Sequence, residues 1–122
     1  MKNFLIALPL CAAIGTTLAF AGHSLIGRWN AAYGNGPKGK MVFRNNGTFE
    51  ATFTGQKWKV GGQYKVTGNT VAFSDSTCGF GYWGQYQMTW YSDDSVMAKV
   101  IADTCSGRRG NGNGAVIVRA RR

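Results

Sequence analysis

From Leu25 onward, short segments of alternating apolar and polar residues are separated by turn residues, and this pattern constrains the fold more than any other feature. Phe49, Ala51 and Phe53, for example, alternate with polar residues that include Glu50. Successive side chains of a strand point to opposite faces, so the alternation indicates strands with one buried face and one solvent-exposed face. No helical period longer than one turn accompanies it. Eight strands are predicted, near residues 25–33, 40–44, 48–54, 58–66, 70–74, 82–90, 96–101 and 115–120.

The connections between these segments are typical of tight hairpin turns. They include the sequences at residues 45–47, 54–56, 67–69 and 92–94. Short strands joined mostly by hairpins form a meander, which loses its exposed edges when it closes into a barrel. Gly61, Gly62 and Gly84 inside strands are interpreted as bends. We predict an all-β fold, a small antiparallel eight-stranded up-and-down barrel; a two-sheet sandwich is the alternative with the same alternation.

The first 21 residues have the pattern of a secretory signal peptide. A short cationic start at residues 1–3 is followed by an apolar run at 4–18 and by small residues at Ala19 and Ala21. The apolar run is too short to span a membrane, and an N-terminal anchor helix is the alternative. We therefore expect residues 1–21 to be removed and residues 22–122 to form one domain, exported to the periplasm or the extracellular space.

The cysteines fit export. Cys11 lies in the predicted signal, which leaves Cys78 and Cys105 to pair in an oxidising compartment. A disulfide between them closes a loop that contributes about 3.5 kcal/mol of stability in the chain-entropy model. No second pair of ligands accompanies them, so a metal site is not predicted.

The chain is strongly basic, with a formal charge of +9. Outside the cytoplasm such a protein meets anionic polymers and lipid headgroups. Solvated charge without a partner is the alternative. The residues predicted for anion binding are Lys38, Lys40, Lys57, Lys59, Arg108 and Arg109, with Arg119, Arg121 and Arg122 as further members.

Gly27-Arg28-Trp29 resembles the Gly-x-Trp sequence that opens lipocalins and related calycin barrels. The resemblance implies that the tryptophan plugs the closed end and that Arg119 or Arg121, from the last strand, packs across it as a cation–π contact. The segments around both cysteines, 75–79 and 103–108, look like those of small secreted bacterial lipocalin-like domains, as do 46–49 and 62–64. The chain departs from larger lipocalins in its short strands and in lacking an evident helix after them.

Isolated polar residues offer little for catalysis. The single histidine, His23, follows the predicted cleavage point on what we expect to be a loose terminus. Glu50 lies on a polar strand face, and Asp93 and Asp94 lie in a turn. No phosphate loop, dinucleotide fingerprint or metal-spaced His/Cys set occurs, so no cofactor is predicted.

Asp75 and Asp103 each precede a cysteine of the predicted disulfide, so they should lie close together. Two carboxylates about 5–9 Å apart could suggest glycoside hydrolysis. The favoured interpretation is that both accept turn amides or pair with Arg108 or Arg109. The sequence therefore predicts a non-catalytic protein.

Aromatic and sulfur-containing residues dominate the predicted inner face. In an eight-stranded barrel, such side chains either fill the interior or line a site for one small ligand. They share faces with Val and Ala, unlike the exposed stacking rings of oligonucleotide-binding folds, so specific nucleic-acid recognition is not expected. We predict a binder of a small hydrophobic or aromatic molecule, with an anionic-surface binder or a secreted inhibitor-like module as alternatives. The candidate ligand-binding residues are Phe49, Phe53, Trp58, Tyr64, Phe73, Tyr82, Tyr86, Met88 and Trp90.

Overall fold

The alternating segments form the strands of a closed barrel in the computed structural model, which describes residues 19–20 and 22–121. Every barrel strand pairs antiparallel with the next, and the last strand closes the ring against the first. The predicted eight-stranded antiparallel barrel is confirmed, and a two-sheet sandwich is excluded. The barrel strands are β3 (Gly27–Ala32), β4 (Lys38–Phe43), β5 (Thr48–Phe53), β6 (Lys59–Thr67), β7 (Thr70–Asp75), β8 (Gly84–Ser92), β9 (Ser95–Ala102) and β10 (Val116–Arg119).

A short two-stranded ribbon precedes the barrel, formed by β1 (Ala19–Phe20) and β2 (His23–Ser24). The predicted signal peptide, residues 1–21, lies outside the described residues apart from β1. His23 is not on a loose terminus, as the sequence had suggested. Its ring stacks on Trp90 with centroids 4.6 Å apart, and its Nδ1 lies 2.8 Å from Oδ1 of Asp93.

The up-and-down order gives the barrel two distinct ends. The closed end is defined as the end that carries the tight turns, at residues 44–47, 68–69 and 93–94. The open end carries the longer connections, at 33–37, 54–58, 76–83 and 103–115. Inward side chains between the ends form one core, in which Phe43 packs edge-on against Tyr64 and Phe49 against Phe73, with centroids 5.0 Å apart in both pairs. The period-two pattern therefore sorted most inner from outer residues correctly.

Arg119 seals the closed end. Its guanidinium carbon lies 4.2 Å from the centroid of the buried Trp29 ring, the contact that the resemblance implied for Arg119 or Arg121. The same guanidinium donates to the carbonyl oxygens of Ser24 and Ile26 and to that of Asp93. It thereby joins the segment that leads into the first barrel strand, the last strand and the β8–β9 turn.

Gly27 provides the room for this contact. Its φ is +130°, and a Cβ at this position would lie 3.0 Å from Nη1 of Arg119. A side chain would be strained by the backbone conformation and would press on the guanidinium. This accounts for the glycine of Gly27-Arg28-Trp29 in local physical terms.

A short helix, α1 (Ser106–Gly112), lies in the connection between β9 and β10, where the sequence pattern had indicated no helix. Glycine-rich sequence has low helix propensity, so the pattern gave no sign of it. Tertiary contacts of its own side chains stabilise α1 instead. The side chain of Arg108 is buried, and the Nη1 group of Arg109 donates to the carbonyl oxygen of Asp103 over 2.8 Å. No helix among the described residues is long and apolar enough to cross a membrane.

The predicted disulfide between Cys78 and Cys105 is confirmed, with Cα atoms 5.9 Å apart. It ties the β7–β8 loop to the residue that immediately precedes α1. Such bridges are typical of proteins that fold outside the cytoplasm.

Replacing Arg119 tests the seal at the closed end. We expect Arg119→Met to lower the free energy of unfolding by about 2–4 kcal/mol, because it removes a cation–π contact and several hydrogen bonds to backbone carbonyls. Denaturant titration of the purified protein measures this. Arg121→Met, at an exposed neighbouring position, is the control and should change stability by less than about 0.5 kcal/mol. Equal effects of the two substitutions would contradict the assigned role.

Candidate functional site

A buried ion cluster organises the open end. It consists of Arg108 from α1, Asp75 at the end of β7, Asp103 just after β9, and Tyr86 from β8, and we call it the Arg108 cluster. Nε and Nη2 of Arg108 donate to Oδ2 and Oδ1 of Asp103 over 2.7 and 2.9 Å. Nη2 also donates to the carbonyl oxygen of Tyr82, at 2.7 Å. Arg108 is only 8% exposed, so this bidentate pair is shielded from water.

Both carboxylates of the cluster also accept turn amides. Oδ1 of Asp75 accepts the backbone N–H of Thr77, and Oδ1 of Asp103 accepts that of Cys105, both at 2.9 Å. The favoured interpretation of Asp75 and Asp103 is therefore confirmed: they accept turn amides and pair with Arg108. Carboxylates engaged in this way are poorly placed to work as a free acid and base.

Tyr86 completes the cluster by donating its hydroxyl to Oδ2 of Asp103 over 2.5 Å. Burial, with the hydrogen bond to Asp103, raises the pKa of Tyr86 well above its ordinary value. Burial also acts to raise the pKa of Asp103, but hydrogen bonds from Arg108, Tyr86 and the Cys105 amide outweigh it, so the net pKa is lowered. Asp103 is thus held as a carboxylate, and Tyr86 as a neutral phenol.

Two glycines allow the cluster to form. A Cβ on Gly84 would lie 2.2 Å from Oδ2 of Asp103, and a Cβ on Gly112 would lie 2.7 Å from the Tyr86 ring. The sequence interpretation of Gly84 as a bend missed this reason. Position 84 requires glycine because the Asp103 carboxylate approaches its backbone too closely for any side chain.

Beneath α1, the barrel contains a cavity of about 90 Å³. Its walls carry small side chains where larger ones would fill the space, notably Ala51 on β5, Ala98 on β9 and Ala115 before β10. Thr77, one of the lining residues, is exposed, so the lining continues to the protein surface at the open end. The lining residues are Tyr33, Met41, Phe43, Phe49, Ala51, Phe53, Val60, Phe73, Asp75, Thr77, Tyr86, Met88, Val96, Ala98, Arg108, Asn111, Gly112, Ala115 and Ile117.

Most of the predicted ligand-binding residues lie inside the barrel, and a subset reaches the cavity. Those that line it are Phe49, Phe53, Phe73, Tyr86 and Met88. Tyr64 is buried near the closed end, where its hydroxyl donates to the carbonyl oxygen of Arg44 over 2.8 Å and burial raises its pKa to about 12. Trp90 also lies at the closed end, against Trp29. These two residues belong to the core.

Trp58 and Tyr82 were wrongly placed in the interior. They are 55% and 62% exposed, because β6 begins at Lys59 and β8 at Gly84, so neither residue is held by strand alternation. Phe80, which the sequence analysis did not single out, is 68% exposed in the β7–β8 loop. Trp58 still packs against Phe53 with centroids 4.8 Å apart. Exposed aromatic side chains therefore stand on two open-end loops, β5–β6 and β7–β8, which adjoin the neighbouring strands β6 and β7.

The predicted cationic residues divide into two groups. Lys40 and Lys59 both stand opposite Thr52 in the strand register, so they share the outer face of β4–β6 with Lys38, and Lys57 lies on the adjoining loop. We call these four residues the lysine patch. All four are exposed, although Lys40 donates to Oδ1 of Asn30 and Lys59 pairs with Glu50.

The predicted arginines do not join the lysine patch. Arg108 was wrongly assigned to a solvent-facing anion site, since it is buried against two carboxylates. Arg109 is exposed but uses Nη1 to hold the Asp103 carbonyl. Arg119 seals the closed end, and Arg122 lies outside the described residues.

No three His, Cys, Asp or Glu side chains in the described part of the chain are grouped so that they could hold a metal ion. No family model, curated protein or solved structure matches this chain. The functional inference therefore depends on the geometry of the open end.

Asp103→Asn tests the Arg108 cluster. Removing one partner of a buried ion pair typically costs about 3–5 kcal/mol, and we expect a loss of that order at neutral pH. Because the folded-state pKa of Asp103 is lowered, its stabilisation is present above the unfolded-state pKa of about 4 and is lost as pH falls through the folded-state value. The variant should therefore show a shallower loss of stability below about pH 4.

Urea denaturation at a series of pH values measures both effects. Asp93→Asn is the control, since Asp93 is an exposed turn residue and its substitution should cost less than about 1 kcal/mol. An Asp103→Asn variant as stable as the control at neutral pH would contradict the structural role of the cluster.

Proposed function

We propose that this protein is an exported, non-catalytic binding protein that holds a small, mainly apolar molecule in the cavity beneath α1. The observation that carries the proposal is the cavity itself, about 90 Å³ in volume and lined largely by aromatic, methionine and aliphatic side chains. Ligand sites are typically concave, mostly apolar and furnished with few polar groups. We retain the lipocalin-like family as part of this proposal on the strength of the Gly27–Trp29 motif.

The size of the cavity limits what fits inside it. The cavity is smaller than an engineered apolar cavity of about 150 Å³ that binds benzene, so it suits a short chain or one part of a larger molecule, such as the edge of a ring whose remainder projects at the open end. The exposed rings of Trp58 and Tyr82 stand at the same end of the barrel. In this proposal they contact the part of a ligand that projects from the cavity.

The non-catalytic part of the proposal is supported by the state of the polar groups. Asp75 and Asp103 are tied to Arg108 and to backbone amides. His23 pairs with Asp93 at the closed end, away from the cavity. The described residues thus offer no nucleophile beside an oriented base.

Native mass spectrometry of protein exported and purified from its own host tests binding and export together. We expect a stoichiometric noncovalent adduct on a chain that begins at Gly22 and is two hydrogens lighter than the reduced form. Ala51→Leu should abolish the adduct, because the added methyl groups fill the cavity that Ala51 lines.

Ala72→Leu is the matched control for this experiment. Ala72 lies on β7 between the inward-facing Val71 and Phe73, so its side chain points outward and the adduct should persist. A clean wild-type mass, or an adduct that survives Ala51→Leu, would count against the cavity as the binding site.

The lysine patch supports a second candidate function, binding to an anionic lipid surface. Four exposed lysines lie on one wall, and the exposed aromatic rings of Trp58 and Phe80 stand at the adjoining open end. Aromatic side chains that enter the headgroup region, together with lysines attracted to anionic lipids, are typical of peripheral membrane binding.

Vesicles of phosphatidylcholine with one quarter phosphatidylglycerol test this candidate. We expect binding that weakens as salt rises, and Lys57→Glu should reduce the affinity at least about fivefold. Lys99→Glu carries the same charge change on β9, which lies across the ring from β5, and should have a smaller effect. Equal losses for the two variants would show that net charge, and not the lysine patch, drives binding.

A further inference from the structure

The guanidinium of Arg108 uses only part of its hydrogen-bonding capacity. Its Nε group and both protons of Nη2 are engaged by Asp103 and by the carbonyl oxygen of Tyr82. Nη1 is buried and has no hydrogen-bond partner among the described residues. Oδ2 of Asp75 lies 3.5 Å from it, near enough for charge attraction but without a hydrogen bond. A buried donor without an acceptor is costly, which makes this group unusual in an otherwise well-paired cluster.

Arg108 also lines the cavity. Asp75, Tyr86 and Asn111 accompany it on the side beneath α1, whereas Phe49, Ala51 and the other barrel residues form the apolar walls. Tyr86 already donates its hydroxyl to Asp103. Nη1 is therefore an unused hydrogen-bond donor of a side chain that lines the cavity, and an occupant that displaces the side chains packed over this group can satisfy it.

The charge of the cluster limits the chemistry of that occupant. One guanidinium stands between two carboxylates, so the formal charge of the three groups is −1 and an anionic ligand would be repelled by Asp75 and Asp103. An uncharged oxygen can accept from Nη1 without disturbing either carboxylate.

We propose that Nη1 of Arg108 anchors an uncharged ligand that is apolar except for one hydrogen-bond-accepting oxygen, a carbonyl or hydroxyl group. This inference rests on the proposed function, because it names the chemistry of the molecule held in the same cavity. Arg108 thus has two roles: its Nε and Nη2 groups hold α1 over the barrel, and its Nη1 group orients the ligand.

Two probes of the same shape test the anchor. Cyclohexanone and methylenecyclohexane differ in having an oxygen or a CH₂ group at one position, and either can be titrated into the full mature protein and followed by NMR. We expect cyclohexanone to bind at least about tenfold more tightly, as one added hydrogen bond to a charged donor predicts. The ketone, but not the alkene, should shift the Nη1 proton resonances of Arg108. Cyclohexanecarboxylate should bind more weakly than cyclohexanone.

Substitutions assign the preference to a single side chain. Arg108→Lys should remove the preference for the ketone while leaving binding of the alkene, whereas Arg109→Lys should preserve the preference. Ala51→Leu should abolish binding of both probes. If Arg108→Lys fails to fold, the Nη1 proton shift in the wild-type protein decides the question by itself.

The outcomes separate this inference from the proposed function. Equal affinities for the two probes, with no shift of the Nη1 proton resonances, would overturn the role of Arg108 as an anchor. The apolar cavity would still be supported as a binding site. No binding of either probe up to its solubility limit would overturn both. Tighter binding of the carboxylate than of the ketone would show that the site selects anions, contrary to the inference.

Discussion

The buried pairing of Arg108 with Asp103 is the interaction on which the open end depends. Three of the chain segments that meet there, the end of β7, the end of β9 and α1, each contribute a charged group to one cluster. A buried charge is tolerated when it is paired and hydrogen-bonded. Removing any one of these groups would leave a buried charge without its partner, which destabilises the folded state. The cluster therefore accounts for a helix whose own sequence, rich in glycine, has little tendency to form one.

A second arginine has a comparable role at the other end of the barrel. Arg119 covers Trp29 and binds backbone carbonyls from segments far apart in the chain, so the closed end is sealed by one side chain. The two arginines differ in their surroundings. Arg119 lies over a filled aromatic core, whereas Arg108 lies beside a cavity bordered by Ala51 and Ala98. This difference is the physical basis for proposing a ligand site at the open end.

Strand alternation was predictable where strands exist and failed just beyond them. Phe49, Ala51 and Phe53 lie within β5 and point inward as expected. Trp58 and Tyr82 precede their strands, and loop geometry turns them toward solvent. The proximity of Asp75 and Asp103 was predictable because each precedes a cysteine of one disulfide. That Arg108 would be buried between them was one of several alternatives, since Arg109 has the same chemistry and lies one residue away.

The residue pattern alone predicted the all-β class, the eight strands with most of their inner faces, the disulfide and a carboxylate pair near it. Those properties follow from local spacing, which period-two alternation and paired cysteines express directly. Only the folded barrel reveals that α1 forms, that Gly84 makes room for Asp103, and that small residues from different strands surround one cavity. Each of these depends on side chains far apart in the chain, whose distances become defined only when the barrel closes.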